Sequence, residues 1–163
     1  MSKTNAHPPH PVEFEPEFAD GLRDIFEDKI VFNRVLGLQV LGIKPDRVTG
    51  RITMKPELIG HFLHNRVHGG VVSAALDAMG GLACVAAIGG RHMDEPPQQR
   101  LQRFSKLGTI DLRIDYLRPC VGTHFDLTAE VLRLGSRVAN TRMEFRAADG
   151  KLLCTGAGAY IVS

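Results

Sequence analysis

Cysteine is scarce in this chain of 163 residues: Cys84, Cys120 and Cys154 form no CxxC pair and are odd in number. That excludes a disulfide framework and fits reduced thiols in a cytoplasmic protein. No histidine stands at ligand spacing with a partner, so no metal or other cofactor is expected. Charge of one sign is also lacking, and a net charge of +2 is too small for a nucleic-acid surface. There is no charged-then-apolar leader to suggest secretion, and no internal repeat. The length holds one core of ordinary size and is too short for two full domains. With 44% hydrophobic and 23% charged residues, the composition is that of a soluble globular protein.

What is present is one long apolar stretch. From Val71 to Ile88 the chain has no proline and a single charge, Asp77. On a helix the neighbours of Asp77 are Gly70, Ser73 and Ala74 on one side and Gly80, Gly81 and Cys84 on the other, all small. The opposite stripe carries Val72, Met79 and Leu82, with Leu76 nearby. The helix therefore has a bulky side for packing and a small-residue side with one carboxylate at its middle. That side leaves room for a ligand or a second helix. A membrane span has this length, but a mid-helix Asp costs roughly 3 kcal/mol on insertion. A surface helix should carry more polar residues than Asp77 and Ser73. A central, nearly buried helix is the reading that remains, and Cys84 on it reads as a core residue.

His68-Gly69-Gly70 opens this helix. The glycines let backbone approach a ligand, and the first N–H groups of a helix lack internal partners and sit at the positive end of its dipole. A developing oxyanion would be stabilised there. Alone, the two glycines would mean only a tight turn. With Asp77 two turns on, a polarising end and a base lie on one rod.

Around the helix the chain alternates. Residues 1–12, with three prolines, read as a disordered tail, and 13–163 as one domain. Leu22, Ile25, Phe26, Lys29 and Ile30 predict an amphipathic helix over about 17–32, its acidic side solvated. Leu38–Lys44 and Arg47–Met54 read as a hairpin, and 55–67 as a loop carrying His61, His64 and Asn65. A second long loop, with one helical turn at most, covers 89–106. Strict alternation over Thr109–Leu117 puts Ile110, Leu112, Ile114 and Tyr116 on one face and Thr109, Asp111, Arg113 and Asp115 on the other. Further strands follow around Phe125–Val131, Arg137–Ala147 and Lys151–Val162, with turns at Gly135-Ser136 and Asp149-Gly150. One apolar helix among about six antiparallel strands predicts an α+β fold, a curved sheet wrapped around the helix. A lone copy would leave the small-residue side and a sheet edge bare, so a dimer, or a tetramer of two dimers, is expected.

These residues resemble a family. His68-Gly69-Gly70 with Asp77 nine residues after the histidine looks like the helix signature of the PaaI-type hotdog acyl-CoA thioesterases. The run from Thr109 to Pro119 is similar to the strand that follows in that family. The YigI-like bacterial branch shares Phe32-Asn33-Arg34, Leu36-Gly37, the helix, and Leu107 to Pro119, so the resemblance covers roughly residues 30–162. It implies the hotdog fold and hydrolysis of an acyl-CoA thioester, with medium to long fatty chains. Asp77 would activate water or attack the carbonyl, while the Gly69 or Gly70 N–H polarises the thioester oxygen. Thr109 takes the place of a hydroxyl residue that assists from the neighbouring subunit. His68 and Ser73 are assigned to substrate binding.

Related enzymes often carry an Asn a few residues before His-Gly-Gly. Here that region reads His61, Phe62, Leu63 and His64, so His61 and Asn65 are the two candidates for that place. Gly60-His61-Phe62 also resembles the motif of hotdog dehydratases for hydroxyacyl thioesters, but their Glu falls fourteen residues after the His, where this chain has Ala75. A non-catalytic acyl-thioester binder is a third reading, against which Asp77 argues. For the phosphates of coenzyme A the chain offers Arg100, Arg103 and Lys106 together, then Arg118 and Arg137. Solvated loop charges explain those residues equally well.

Overall fold

A computed structural model describes residues 13–163; the tail read over 1–12 lies outside them. The alternating segments form β1 (Leu38–Ile43), β2 (Val48–Thr53), β5 (Gly108–Tyr116), β6 (His124–Leu134), β7 (Val138–Ala147) and β8 (Leu152–Ile161). They make one antiparallel sheet in the order β1-β2-β6-β7-β8-β5. Two short strands, β3 (Ile59–His61) and β4 (Arg66–Val67), pair separately within the stretch read as a loop. Asn65 turns the chain between them with φ 46°, a left-handed conformation that asparagine tolerates.

The apolar stretch is a single helix, α3 (Gly69–Arg91), two or three residues longer at each end than the run from Val71 to Ile88. It lies across the middle of the sheet, chiefly on β6 and β7. Val72, Leu76, Met79 and Leu82 are buried against Ile52, Phe125, Leu127, Met143 and Phe145. Each such side chain contributes about 1.5–3 kcal/mol by leaving water. By length and hydropathy α3 could cross a membrane, but here its bulky side is the core of the sheet. A long helix held on a curved antiparallel sheet is the hotdog fold.

The N-terminal helix is not continuous. It runs as α1 (Pro16–Arg23), a π-helical turn (Asp24–Lys29) and α2 (Val31–Leu36), separated by an extended Ile30. The buried Asn33 causes the break: its Nδ2 donates to the Phe26 carbonyl at 2.9 Å and takes up an acceptor within the widened turn. Gly37, with φ 71°, ends α2 in a left-handed cap. The stretch 89–106 is more ordered than its composition suggested. After α3 ends at Arg91, α4 (Pro97–Gln102) starts with Pro97 in its first turn and passes into a 3-10 turn (Arg103–Lys106).

Candidate active site

Asp77 sits half-buried at the middle of α3, and its Oδ1 accepts a hydrogen bond from Thr109 Oγ1 at 2.9 Å. Both residues belong to one protomer. The expectation that Thr109 would reach Asp77 from a neighbouring subunit is thereby corrected. The cause is a bulge that the alternation of β5 concealed. Thr109 pairs with Tyr160 and Asp111 with Ala159, so two residues of β5 span one step of β8 and Ile110 is the extra one. The bulge inverts the phase of the strand. Thr109 joins Leu112 and Ile114 on the side of α3, whereas Ile110 turns outward and is 58% exposed.

Both tyrosines of the chain anchor α3, which sequence reading missed. Tyr160 OH donates to the Asp77 backbone carbonyl at 3.2 Å, and Tyr116 OH to the Gly69 carbonyl at 2.7 Å. Tyr160 is buried, and a buried tyrosine needs a partner for its hydroxyl, whereas Tyr116 is half exposed and gave no such signal. Burial, then the Asp77 charge, raises the Tyr160 pKa well above the usual phenol range, so Tyr160 holds the helix as a neutral donor. It enters only because residue 80 is glycine: a Cβ there would lie 2.2 Å from the Tyr160 hydroxyl.

In front of Asp77 and Thr109 opens a cleft of about 270 Å³, walled by Phe26, Ile30, Phe32, Phe104 and Leu107. The segment around the π turn thus supplies much of an apolar wall facing the carboxylate. Gly81, one turn beyond Asp77, lies on the floor of the cleft.

The start of α3 is a separate place. His68 caps the helix, its Nδ1 accepting the Gly70 N–H at 2.9 Å, so that N–H is already engaged. The Gly69 N–H has no partner among the described residues and is the open donor. Ser73 Oγ donates to the Gly70 carbonyl at 3.1 Å. A second cleft of about 400 Å³ lies here, lined by Gly69, Tyr116, Arg66, Arg118 and Cys120. Gly69 and Asp77 are eight residues apart on one helix, about 12 Å along its axis, too far to contact one carbonyl group.

The remaining candidates scatter. His61 and Asn65 are exposed on the β3–β4 hairpin, His61 stacked on His64 with ring centres 4.8 Å apart, and neither lines the cleft of Asp77. Arg100 is fully buried, paired with Glu15 at 2.6 Å and stacked 4.5 Å from the Phe18 ring. Its assignment to phosphate is corrected: this guanidinium pins α1 to α4, and its hydrogen bond holds the Glu15 carboxyl below its ordinary pKa. Arg103 is held by both oxygens of Glu95, at 3.1 and 2.5 Å. Lys106 is exposed without an ion pair among the described residues, and the exposed Arg118 donates to the Leu152 carbonyl. Arg100→Ala is expected to destabilise the fold by about 2 kcal/mol or more by removing the link to Glu15 and opening a gap beside Phe18. Thermal melts should show the loss, while KM for substrate stays unchanged.

A sequence model of the thioesterase superfamily matches residues 64–154, from the β3–β4 hairpin through α3 into β8. The chain belongs to the thioesterase superfamily, and it is a thioester hydrolase of hotdog fold. Among its relatives is the medium/long-chain acyl-CoA thioesterase YigI of Salmonella typhimurium, 35% identical over 85% of this chain and 90% of that protein. YigI of Escherichia coli is 34% identical over the same shares. A solved structure of a Shewanella oneidensis protein related to the thioesterase superfamily is 38% identical, with TM-score 0.84 over 92% of this chain and all of that one. Thioesterase superfamily member 2 of Mus musculus shares the fold at TM-score 0.71 and 18% identity, covering 92% of this chain and 100% of its own.

Proposed function

We propose that the protein hydrolyses medium- to long-chain acyl-CoA to the free acid and coenzyme A, in the cytoplasm, at sites shared between two copies of the chain. The observation that carries this reading is the Asp77–Thr109 pair opening onto an apolar cleft, while the open helix-start donor lies about 12 Å away on the same helix. One thioester carbonyl cannot meet both within a protomer. A second copy with its α3 antiparallel to the first brings the partner subunit's Gly69 to Asp77. The surface suits such a partner: β5 is an edge strand, with Ile110, Tyr116 and Leu117 each at least half exposed. The small residues Gly70, Ser73 and Ala74 leave the flank of α3 open for close approach.

In this arrangement the acyl chain lies in the cleft under Phe26, Phe32 and Phe104. The pantetheine arm leaves through the cleft at the partner's helix start, where Arg66 and Arg118 meet phosphate. Thr109 fixes one Asp77 oxygen and leaves the other to accept a proton from water or to attack the carbonyl; the geometry serves both routes. The Gly69 N–H receives the charge that develops on the thioester oxygen. The thiolate of coenzyme A is a good leaving group, so no strong general acid is required. The dehydratase reading lacks its acid at the motif's spacing, since the residue fourteen after His61 is Ala75 and Asp77 lies sixteen after it.

Thiol release from a panel of acyl-CoA substrates of rising length tests the reading, with kcat/KM expected to climb into the medium and long range. A flat profile, or release from short chains alone, would sink the chain-length assignment. Gly81 supplies the paired test, since a Cβ there would lie 3.0 Å from Leu107 Cδ2 at the floor of the cleft. Gly81→Val should lower kcat/KM for long chains by about 10-fold or more and leave short chains within a few-fold, because an isopropyl group takes up chain space. Equal losses for all lengths would place the acyl chain elsewhere.

A further inference from the structure

Two of the three thiols lie side by side. Cys120, in the segment after β5, and Cys154, in β8, have their Sγ atoms 3.6 Å apart. Cys154 is sealed from solvent, whereas Cys120 is 5% exposed and forms part of the wall of the cleft at the start of α3. A small solute in that cleft meets Cys120 first. Arg66 stands in the same wall, and its Nε is shut off from solvent with no partner among the described residues. The hydrogen bond from Cys154, helped by the Arg66 charge, holds the Cys120 thiol below its ordinary pKa. The same pairing, with burial, pushes Cys154 far up. Cys84, buried without such a partner, is pushed up to about 12. One thiol is poised for attack, its neighbour stays protonated, and the third is inert.

We propose that Cys120 and Cys154 are an oxidisable dithiol, a site of reversible disulfide formation that takes hydrogen peroxide as its oxidant. The Cys120 thiolate attacks one peroxide oxygen. The O–O bond breaks and an S–O bond forms; sulfur gives up two electrons, and the departing hydroxide takes up the proton that Cys120 released, as water. Cys154 Sγ then attacks the sulfenic sulfur. The S–S bond forms, the S–O bond breaks, and the Cys154 proton leaves with the hydroxide as a second water. Two thiols and one peroxide become one disulfide and two waters. The sulfurs close from van der Waals contact to bonding distance, and β8 becomes tied to the segment whose Cys120 carbonyl accepts the Val67 N–H at 3.0 Å. Val67, on the other side of that hydrogen bond, leads directly to His68 and Gly69. The site stands independently of which thioester the protein hydrolyses.

The test treats the reduced full-length chain with hydrogen peroxide, alkylates the remaining thiols after denaturation, and maps peptides without reduction. The expected result is the loss of two alkylatable thiols per chain and a peptide pair joining Cys120 to Cys154, with Cys84 still alkylated and the link reversed by dithiothreitol. Cys154→Ser should stop at sulfenic acid on Cys120, captured by dimedone, and Arg66→Met should slow oxidation several-fold. The proposal is overturned if all three thiols stay alkylatable under peroxide that oxidises free cysteine. A link through Cys84 or between chains, or oxidation of Cys154 in place of Cys120, overturns it equally. Should Cys154→Ser fail to fold, the wild-type peptide map decides alone.

Discussion

Asp77→Asn is expected to keep the fold and to lose at least ~100-fold in kcat, the usual cost of removing a catalytic base or nucleophile. The amide is nearly isosteric, and one of its faces can still accept the Thr109 hydroxyl that now bonds Asp77 Oδ1 at 2.9 Å. The backbone carbonyl of residue 77, which holds Tyr160, is untouched. A stability change below ~1 kcal/mol with turnover gone would separate chemistry from structure. Near-normal turnover of the variant would end the proposed mechanism. If Asp77 were only a charge at the edge of the helix, neither rate nor melting temperature would move.

The second large effect concerns the open donor at the helix start. Gly69 is the first residue of α3, where proline is tolerated because its N–H would have no helical partner. His68 before it is extended, with φ −64° and ψ 136°, a conformation a following proline accepts. Gly69→Pro therefore deletes one N–H and little else, and should cost about 100- to 1,000-fold in kcat, as for loss of an oxyanion donor. Gly69→Ala is the control: it keeps the N–H, and its Cβ meets the Tyr116 hydroxyl at an ordinary 3.4 Å. It should retain most activity. Mixing the two inactive chains, Asp77→Asn and Gly69→Pro, then tests shared sites. Each mixed dimer rebuilds one intact site, so random assortment should return about a quarter of wild-type activity. Mixing Asp77→Asn with Thr109→Val should return nothing, because Asp77 and Thr109 must come from one chain. Rescue in the second mixture and none in the first, with exchange verified, would reverse the assignment.

Much of the architecture was legible because it rests on periodicity. The apolar run gave α3, and the alternating segments gave the sheet, including the buried set Ala139, Thr141, Met143 and Phe145 of β7. Asp77 stood out as the one charge in an apolar helix. What escaped depends on single residues that break a period. The bulge at Ile110 cannot be seen in a strand whose sequence alternates without fault, because the extra residue is defined only by its partners on β8. The break in the N-terminal helix hinges on the Asn33 amide, seven residues from the carbonyl it satisfies. Arg100 read equally as a phosphate ligand or a solvated loop cation until Glu15 and Phe18, distant in sequence, closed around it. The long-range pairing of α1 with α4 decided its role, and local composition carries no trace of that.

The extra residue in β5 has one further consequence, for how this strand can vary. A strand has only two sides, and a one-residue slip exchanges them. Because of Ile110, the strand serves two masters at once: its beginning offers a hydroxyl to the carboxylate, and its outer side keeps apolar bulk for a neighbour. Pairing without the bulge, at unchanged length, would set Ile110 against Tyr160 and Thr109 against Ile161, and so swap these allegiances, turning the hydroxyl outward and the isoleucine toward the carboxylate. Most point changes in β5 act locally, but a slip in its register on β8 would reach the chemistry and the assembly in one step.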